Sequence, residues 1–509
     1  MEQIVRAARS TVTTAFFAQA AVSADHVAIV DVDGTRRTYR ELADRVRRLT
    51  DVLISRGVGP GDRIALLSEN RGEILELFLA AGNIGAIVAC QNWRLAPAEM
   101  RHCVSLVAPV LAIVSPKHAA AFAAISEVTA LTFGANYEER LAAHRDGPAL
   151  ADVDPEAPLL VLYTSGTTGL PKGAVINHRA QIVRNLVTRA EFGVQPRDTF
   201  VAWSPLYHMG AVDNSLGTLI TGGTVIVVDG FDAPRLATIV EECSASGVPL
   251  GWLLLMPGMV ARFADELEAR GIRAKSIRVC GVMADLVPPA DIARITTLLG
   301  APYANTFGAT ETGCPPCSSS LIPIGVVPQK LSKQQSPFCE VRLVDPDDND
   351  VPIGAPGELA MRGPTLFSGY WQNDAANAHD FRGGWFHMGD VFVRNPDGSL
   401  DFVDRVKYLI KSGGENIYPA EIERVMVLDA RVAEVAVVRA RDARWGEVPV
   451  AFVARRDDSL DESALFALCR EHLAGYKQPK QIHFIAFEEF PRSASGKVQR
   501  HELEARLPK

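Results

Sequence analysis

Positive charge is in short supply in this chain. Lys and Arg number 52 against 60 Asp and Glu, a net charge of −8. A mildly acidic protein lacks the basic footprint that nucleic-acid binding requires, so nucleic acid is excluded as a general partner. Long apolar runs are also missing. Stretches such as Leu77 to Cys90 are broken by Gly and Asn and are too short to span a bilayer. The opening residues, Met1-Glu2-Gln3-Ile4, show no basic run leading into an apolar stretch, so no secretory leader is expected. Cysteine is sparse, with eight residues in 509: Cys90, Cys103, Cys243, Cys280, Cys314, Cys317, Cys339 and Cys469. That spread is no disulfide framework, and a reducing cytoplasm is the expected setting. Internal repeats and low-complexity tracts are absent as well.

What is present is the balance of a soluble globular protein, 48% apolar and 22% charged. The length exceeds one ordinary core and predicts two or more domains. Strand-like runs (Arg63–Leu67, Pro158–Tyr163, Thr224–Val228) alternate with helical ones (Glu73–Ala81, His178–Arg189, Ala233–Glu242). Such alternation predicts α/β layers with largely parallel sheets. From about Cys339 the texture changes to short strands split by Asp, Pro and Gly turns, a β-rich subdomain over about 339–404. The last hundred residues read as a small α+β unit: β-like at Val435–Arg439, Pro449–Ala454 and Gln481–Ile485, helical at Glu462–Leu473. The expected division is a large domain over 1–404, a junction at 405–407 and a small domain over 408–509.

The run from Tyr163 to Gly173 carries the first chemistry. Gly166 and Gly169 let the backbone turn tightly and present N–H groups to an anion. Thr164, Ser165, Thr167 and Thr168 add hydroxyl donors, and Lys172 adds a cation. It is not a Walker A loop, which needs Gly-Lys followed by Ser or Thr. Further on, Phe307 offers a flat apolar face, Thr310 a hydroxyl and Glu311 a hard carboxylate oxygen within one short run. The pair Cys314-Pro-Pro-Cys317 reads as half a zinc site, a redox couple or packing thiols near a pocket. No second pair or His cluster lies nearby in sequence, which favours packing.

Thr164 to Gly173 resembles the signature loop of the adenylate-forming superfamily, which includes acyl- and aryl-CoA synthetases. Other segments follow in the superfamily's order. Asn305-Thr306-Phe307-Gly308-Ala309-Thr310-Glu311 resembles its aromatic-Gly-x-Thr-Glu motif, with Phe307 where Tyr is usual. Trp385 to Asp390 resembles the motif ending in Thr-Gly-Asp, with Met388 in place of Thr. Asp404 to Glu423 resembles the signature at the domain junction, and Pro491 to Lys497 the loop with the catalytic lysine. Gly281-Val282-Met283 stands where relatives often read Gly-Ala-Pro. The resemblance covers the chain from about Thr38 to Lys497.

That resemblance implies a large α/β domain with a β-rich part and a small mobile domain, and it implies roles. Lys497, Glu311, Thr164 and Lys172 would be catalytic, with Glu311 holding Mg²⁺. ATP would be bound by Thr164–Gly169, Lys172, Gly281–Met283, Asn305–Thr310, Asp390 on the ribose, Arg405 and Lys497. The acid would lie near His208, Met209, Asp213, Asn214, Met283 and Cys314, with Trp252 and Met256 as further lining. Lys407 would be the hinge, and Ser412, Gly413, Gly414 and Glu415 would line the CoA channel. The implied reaction joins a carboxylate to ATP as acyl-AMP, then to CoA. The acid is expected to be fatty or otherwise apolar. A ligase loading a carrier protein and a non-catalytic nucleotide-binding protein remain the alternatives. Only twelve residues follow Lys497, with no room there for a carrier domain, and a homodimer stays open.

Overall fold

The computed structural model describes residues 3, 7–144, 152–164, 170–492 and 498–507. Its largest sheet has six strands, in the order Ala130–Thr132, Leu111–Val114, Arg63–Leu67, Ile87–Cys90, Pro158–Thr164, Lys172–Asn177. All neighbours are parallel except the last pair, which forms a hairpin. The central strand Ile87–Cys90 is buried along its whole length, as expected where helices cover both faces. A second sheet orders Arg36–Thr38, Val27–Val30, Val225–Val227 and Phe200–Ala202. A third orders Leu250–Leu253, Ile277–Cys280, Tyr303–Ala304 and Leu321–Ile322.

The helices between these strands end where the sequence provides for it. His178–Phe192 starts at Asn177, whose side chain accepts the Ala180 N–H at 2.7 Å. It stops at Gly193, which takes the left-handed conformation (φ 68°). Tyr39–Ser55 opens with a reciprocal Thr38–Glu41 capping box. These boundaries extend the sequence-based helix by one turn, because the cap rather than the apolar period sets the end.

Four antiparallel strands, Glu340–Val344, Pro356–Arg362, Phe386–Arg394 and Leu400–Arg405, form the β-rich part. A short turn, Val406–Tyr408, leads out of it. Beyond lies a five-stranded sheet: Glu415–Ile417, Ile410–Ser412, Gly446–Arg455 and Val432–Asp442 in order, with Gln481–Phe484 parallel to Gly446–Arg455. The apolar cores change over at the same turn. One cluster runs from Val12 to Leu400. Two smaller ones begin at Ile410 and Ala436 and flank the last sheet.

Polar contacts tie the small unit to the turn. Arg500 grips the Glu423 carboxylate through both oxygens, at 2.7 and 2.6 Å, and reaches Asp404 at 3.5 Å. Asp404 also accepts the Ala420 N–H at the start of helix Pro419–Met426. Glu423 is buried, and burial raises its carboxyl above the ordinary range against the pull of Arg500. An Arg500→Met variant strands that carboxylate, which costs about 3–5 kcal/mol. The small unit should then unfold at a clearly lower denaturant concentration. An unchanged midpoint would show that the pair does not hold it.

Candidate functional site

Three segments singled out in the sequence leave the carboxyl ends of strands. Thr164 closes Pro158–Thr164, Gly281 follows Ile277–Cys280, and Asn305 follows Tyr303–Ala304. Ligands of open α/β sheets bind in the crevice beyond such ends. The hairpin register sets Thr164 opposite Lys172. The Thr164 hydroxyl is buried and has no hydrogen-bond partner among the described residues. Ser165, Gly166, Thr167, Thr168 and Gly169 lie outside the described residues, as does Lys497.

A chain of contacts runs on from Lys172. Lys172 pairs with Asp380 at 3.2 Å and stands 3.7 Å above the centre of the Tyr370 ring. The Tyr370 hydroxyl donates to Glu311 Oε1 at 3.0 Å. Burial and the carboxylates of Glu311 and Asp380 push that hydroxyl far above its ordinary pKa, so it remains a donor. Arg405 pairs with the buried Asp390 at 2.9 Å and also feels the charge of Glu311. Phe307 stacks on Phe402 and meets Phe392 edge-on, both at 4.8 Å. The backbone beyond it is open at Gly308 and half-open at Ala309 and Thr310.

The segment 281–283 carries unusual backbone. Gly281 (φ 72°) and Met283 (φ 53°) both take left-handed conformations, and a Cβ on Gly281 would strike the Tyr303 ring. Tyr303 donates to the Val282 carbonyl at 3.0 Å and Trp252 to that of Gly281 at 2.9 Å. A bulky residue held at positive φ is a local strain, and here the flanking donors fix it. Trp252 is thereby 5% exposed, a support of this segment more than a wall of a pocket.

Two sequence-chosen residues have side chains committed elsewhere. Asn305 is buried and bonds to Lys333 and to the carbonyls of Leu331 and Ser332. Asp213 is the counter-ion of Arg184, at 3.3 Å, and burial raises its carboxyl despite that partner. His208 packs against Tyr207 at the start of helix Met209–Leu219, which carries Asn214 bonded to Gly210. Cys314 is half-buried and 4.0 Å from the Thr188 hydroxyl. Its thiol is pushed up to about 12 by burial, which leaves almost no thiolate for redox or metal chemistry. Cys317 is buried and raised in the same way.

Lys407 lies in the turn Val406–Tyr408, its carbonyl accepting from Arg439 at 3.1 Å. Ser412, Gly413, Gly414 and Glu415 make a hairpin tip. Both glycines have positive φ (59° and 92°), as a two-residue turn of this hand demands. The tip lies against Trp445, whose carbonyl accepts the Gly413 N–H.

Sequence reasoning missed Tyr370, Asp380 and Arg184. Arg184 is 2% exposed and donates to the carbonyls of Thr365 and Thr310. Its only sequence signal is a charge on the buried face of a helix. Tyr370 sits in an aromatic Gly-Tyr-Trp run that had no assigned chemistry.

Comparison with known proteins shows the family. Residues 16–371 match the AMP-binding enzyme family, and residues 421–497 match the AMP-binding enzyme C-terminal domain. Feruloyl-CoA synthase of an Amycolatopsis species is 35% identical over 489 residues, 95% of this chain and 96% of that protein. Indoleacetate–CoA ligase of Aromatoleum aromaticum is 33% identical, covering 92% of each. ATP-bound MatB from Rhodopseudomonas palustris overlays with a TM-score of 0.85 at 26% identity, covering 97% of this chain and 98% of that one. The chain belongs to the AMP-binding enzyme family, within the adenylate-forming superfamily. It is an AMP-forming acid–CoA ligase.

Removing the hydroxyl that touches Glu311 tests that chain of contacts. A hydrogen bond to a charged group is worth about 1.5–3 kcal/mol, so Tyr370→Phe should lower kcat/KM for ATP roughly 10- to 100-fold. The readout is acid-dependent pyrophosphate release by the folded variant. A value within twofold of wild type would remove Tyr370 from the site.

Proposed function

We propose that this ligase activates an aryl-bearing carboxylic acid, and that its own residues divide the work as follows. A carboxylate resists attack by a thiol because attack adds charge to an anion. Its oxygen instead attacks the α-phosphorus of ATP, pyrophosphate leaves, and the mixed anhydride then accepts the CoA thiol with loss of AMP. Charge builds on the α-phosphoryl group in the first step, so fixed cations and donors there carry the catalysis.

The observation that supports this division is the run Lys172–Tyr370–Glu311–Arg405–Asp390 beside the unpartnered Thr164 hydroxyl. Thr164 and Lys172 serve the phosphates, Phe307 the purine face, and Asp390 with Arg405 the ribose side. Mg²⁺ arriving with ATP fits Glu311, a hard oxygen donor, since Mg²⁺ is commonly held by one or two carboxylates and substrate phosphates. Among the described residues no cluster of three His, Cys, Asp or Glu would hold a metal on its own. Lys497 bridges substrate carboxylate and α-phosphate in this reading. The small unit turns at Lys407 between half-reactions, bringing the Ser412–Glu415 tip to the CoA path.

The aryl assignment narrows the fatty or otherwise apolar acid expected from sequence. Its support is that the feruloyl and indoleacetate ligases match this chain over more than nine-tenths of its length. The half-open side chains of His208, Met209 and Met283 supply flat and polarisable surface for a ring. Among the described residues no helix is long and apolar enough to cross a membrane.

A pyrophosphate-release screen over hydroxycinnamic, indolic, benzoic and C8–C16 fatty acids should give at least tenfold higher kcat/KM for an aryl acid. A fatty acid at the top of the ranking would overturn the assignment. Formation of acyl-adenylate without CoA-dependent turnover would instead favour a carrier-protein acceptor.

Two substitutions separate the half-reactions. Lys497→Ala should cut acyl-adenylate formation by roughly 100-fold or more, the scale for loss of a group that stabilises developing charge. Thioester formation from supplied acyl-adenylate should be largely spared. Lys407→Pro should impair one half-reaction far more than the other, and equal losses would rule out the hinge.

A further inference from the structure

Lys333 is fully buried, far along the chain from every motif, and the reaction does not use it. Its ammonium group lies 2.6 Å from Asp285 Oδ2, 2.5 Å from Asn305 Oδ1 and 3.4 Å from the Leu331 carbonyl. A lysine has three donors, and these are three acceptors, one of them charged. An ammonium withdrawn from water persists only with such compensation.

Two of the partners, Asp285 and Asn305, sit two residues from Met283 and Phe307. Asp285 follows Met283, the side chain held at positive φ beside Val282. Asn305 precedes Phe307. The backbone of Lys333 exchanges two 2.8 Å hydrogen bonds with Leu400. Leu400 in turn precedes Phe402, whose ring stacks on Phe307. One residue thus spans the 281–286 segment, the Asn305–Thr310 segment and the strand that runs on to Arg405. Electrostatic contacts in a dry interior are stiff and directional, unlike the apolar packing around them.

We propose that Lys333 is a positioning residue for the adenylation half-reaction. It sets the separation between Met283 and Phe307, and so the width of the slot that takes the purine of ATP. The proposal rests on the reading that these two segments border the nucleotide.

The test compares wild type with Lys333→Met and with Lys333→Met/Asp285→Leu. The single variant leaves the half-buried Asp285 carboxylate without its counter-ion and will be less stable. The double variant removes both charges at similar volume, which buried pairs tolerate. It should keep a Tm within a few degrees of wild type. Equilibrium dialysis with MgATP should show at least tenfold weaker ATP binding by the double variant. KM for CoA, measured from supplied acyl-adenylate, should stay within twofold. A merely structural pair would change Tm or the active fraction and leave ATP affinity alone. ATP affinity of the folded double variant within twofold of wild type overturns the proposal. If wild type binds ATP yet releases no pyrophosphate with any acid, the ligase reading fails instead. The dialysis comparison still decides the role of Lys333.

Discussion

A charge taken out of water must find a counter-charge within hydrogen-bonding reach, and the site depends on that requirement being met repeatedly. Arg184 meets Asp213, Lys333 meets Asp285, Arg405 meets Asp390, and Arg500 meets Glu423. Arg405 and Asp390 face each other across a pair of consecutive strands, and the other three pairs join separate segments of the chain. Apolar packing builds the layers, but it is tolerant of small shifts. Ion pairs with satisfied hydrogen bonds fix distances and angles as well as proximity. A reaction that needs donors in place before charge develops benefits from such rigidity.

Much of this was legible in the sequence for a simple reason. The groups assigned to phosphate, purine and metal in the proposed function come in contiguous runs of sequence. Tyr163 to Gly173 and Asn305 to Glu311 are such runs. Arg63–Leu67 was legible as a strand because it is apolar and bounded by turns. Very short strands such as Tyr303–Ala304 left no pattern to read, since two residues carry no period.

What stayed hidden is contact across the chain. Lys172 and Asp380 are 208 residues apart, and Arg184 and Thr310 are 126 apart. Neither residue of such a pair signals the other. The same blindness explains Asn305 and Asp213. Their residue types suit a nucleotide and an acid pocket, yet the fold commits their side chains to Lys333 and Arg184. Trp252 is a similar case, its indole N–H held by the Gly281 carbonyl. Only a three-dimensional partner list separates a residue that faces the ligand from one that supports its neighbour.

The join between the large and small units is built differently from either core. Among the described residues, no apolar side chain belongs both to the large cluster and to the two small ones. Polar contacts that cross include Arg456 to Asp291 at 3.4 Å, Arg424 to the Phe402 carbonyl at 2.8 Å, and Asp404 to the Ala420 N–H. Water can replace each of these bonds nearly in kind. Parting the two surfaces would therefore wet little hydrocarbon and leave no sticky face behind. Such a seam would suit the turning motion proposed above, as a lubricated joint that does not invite aggregation.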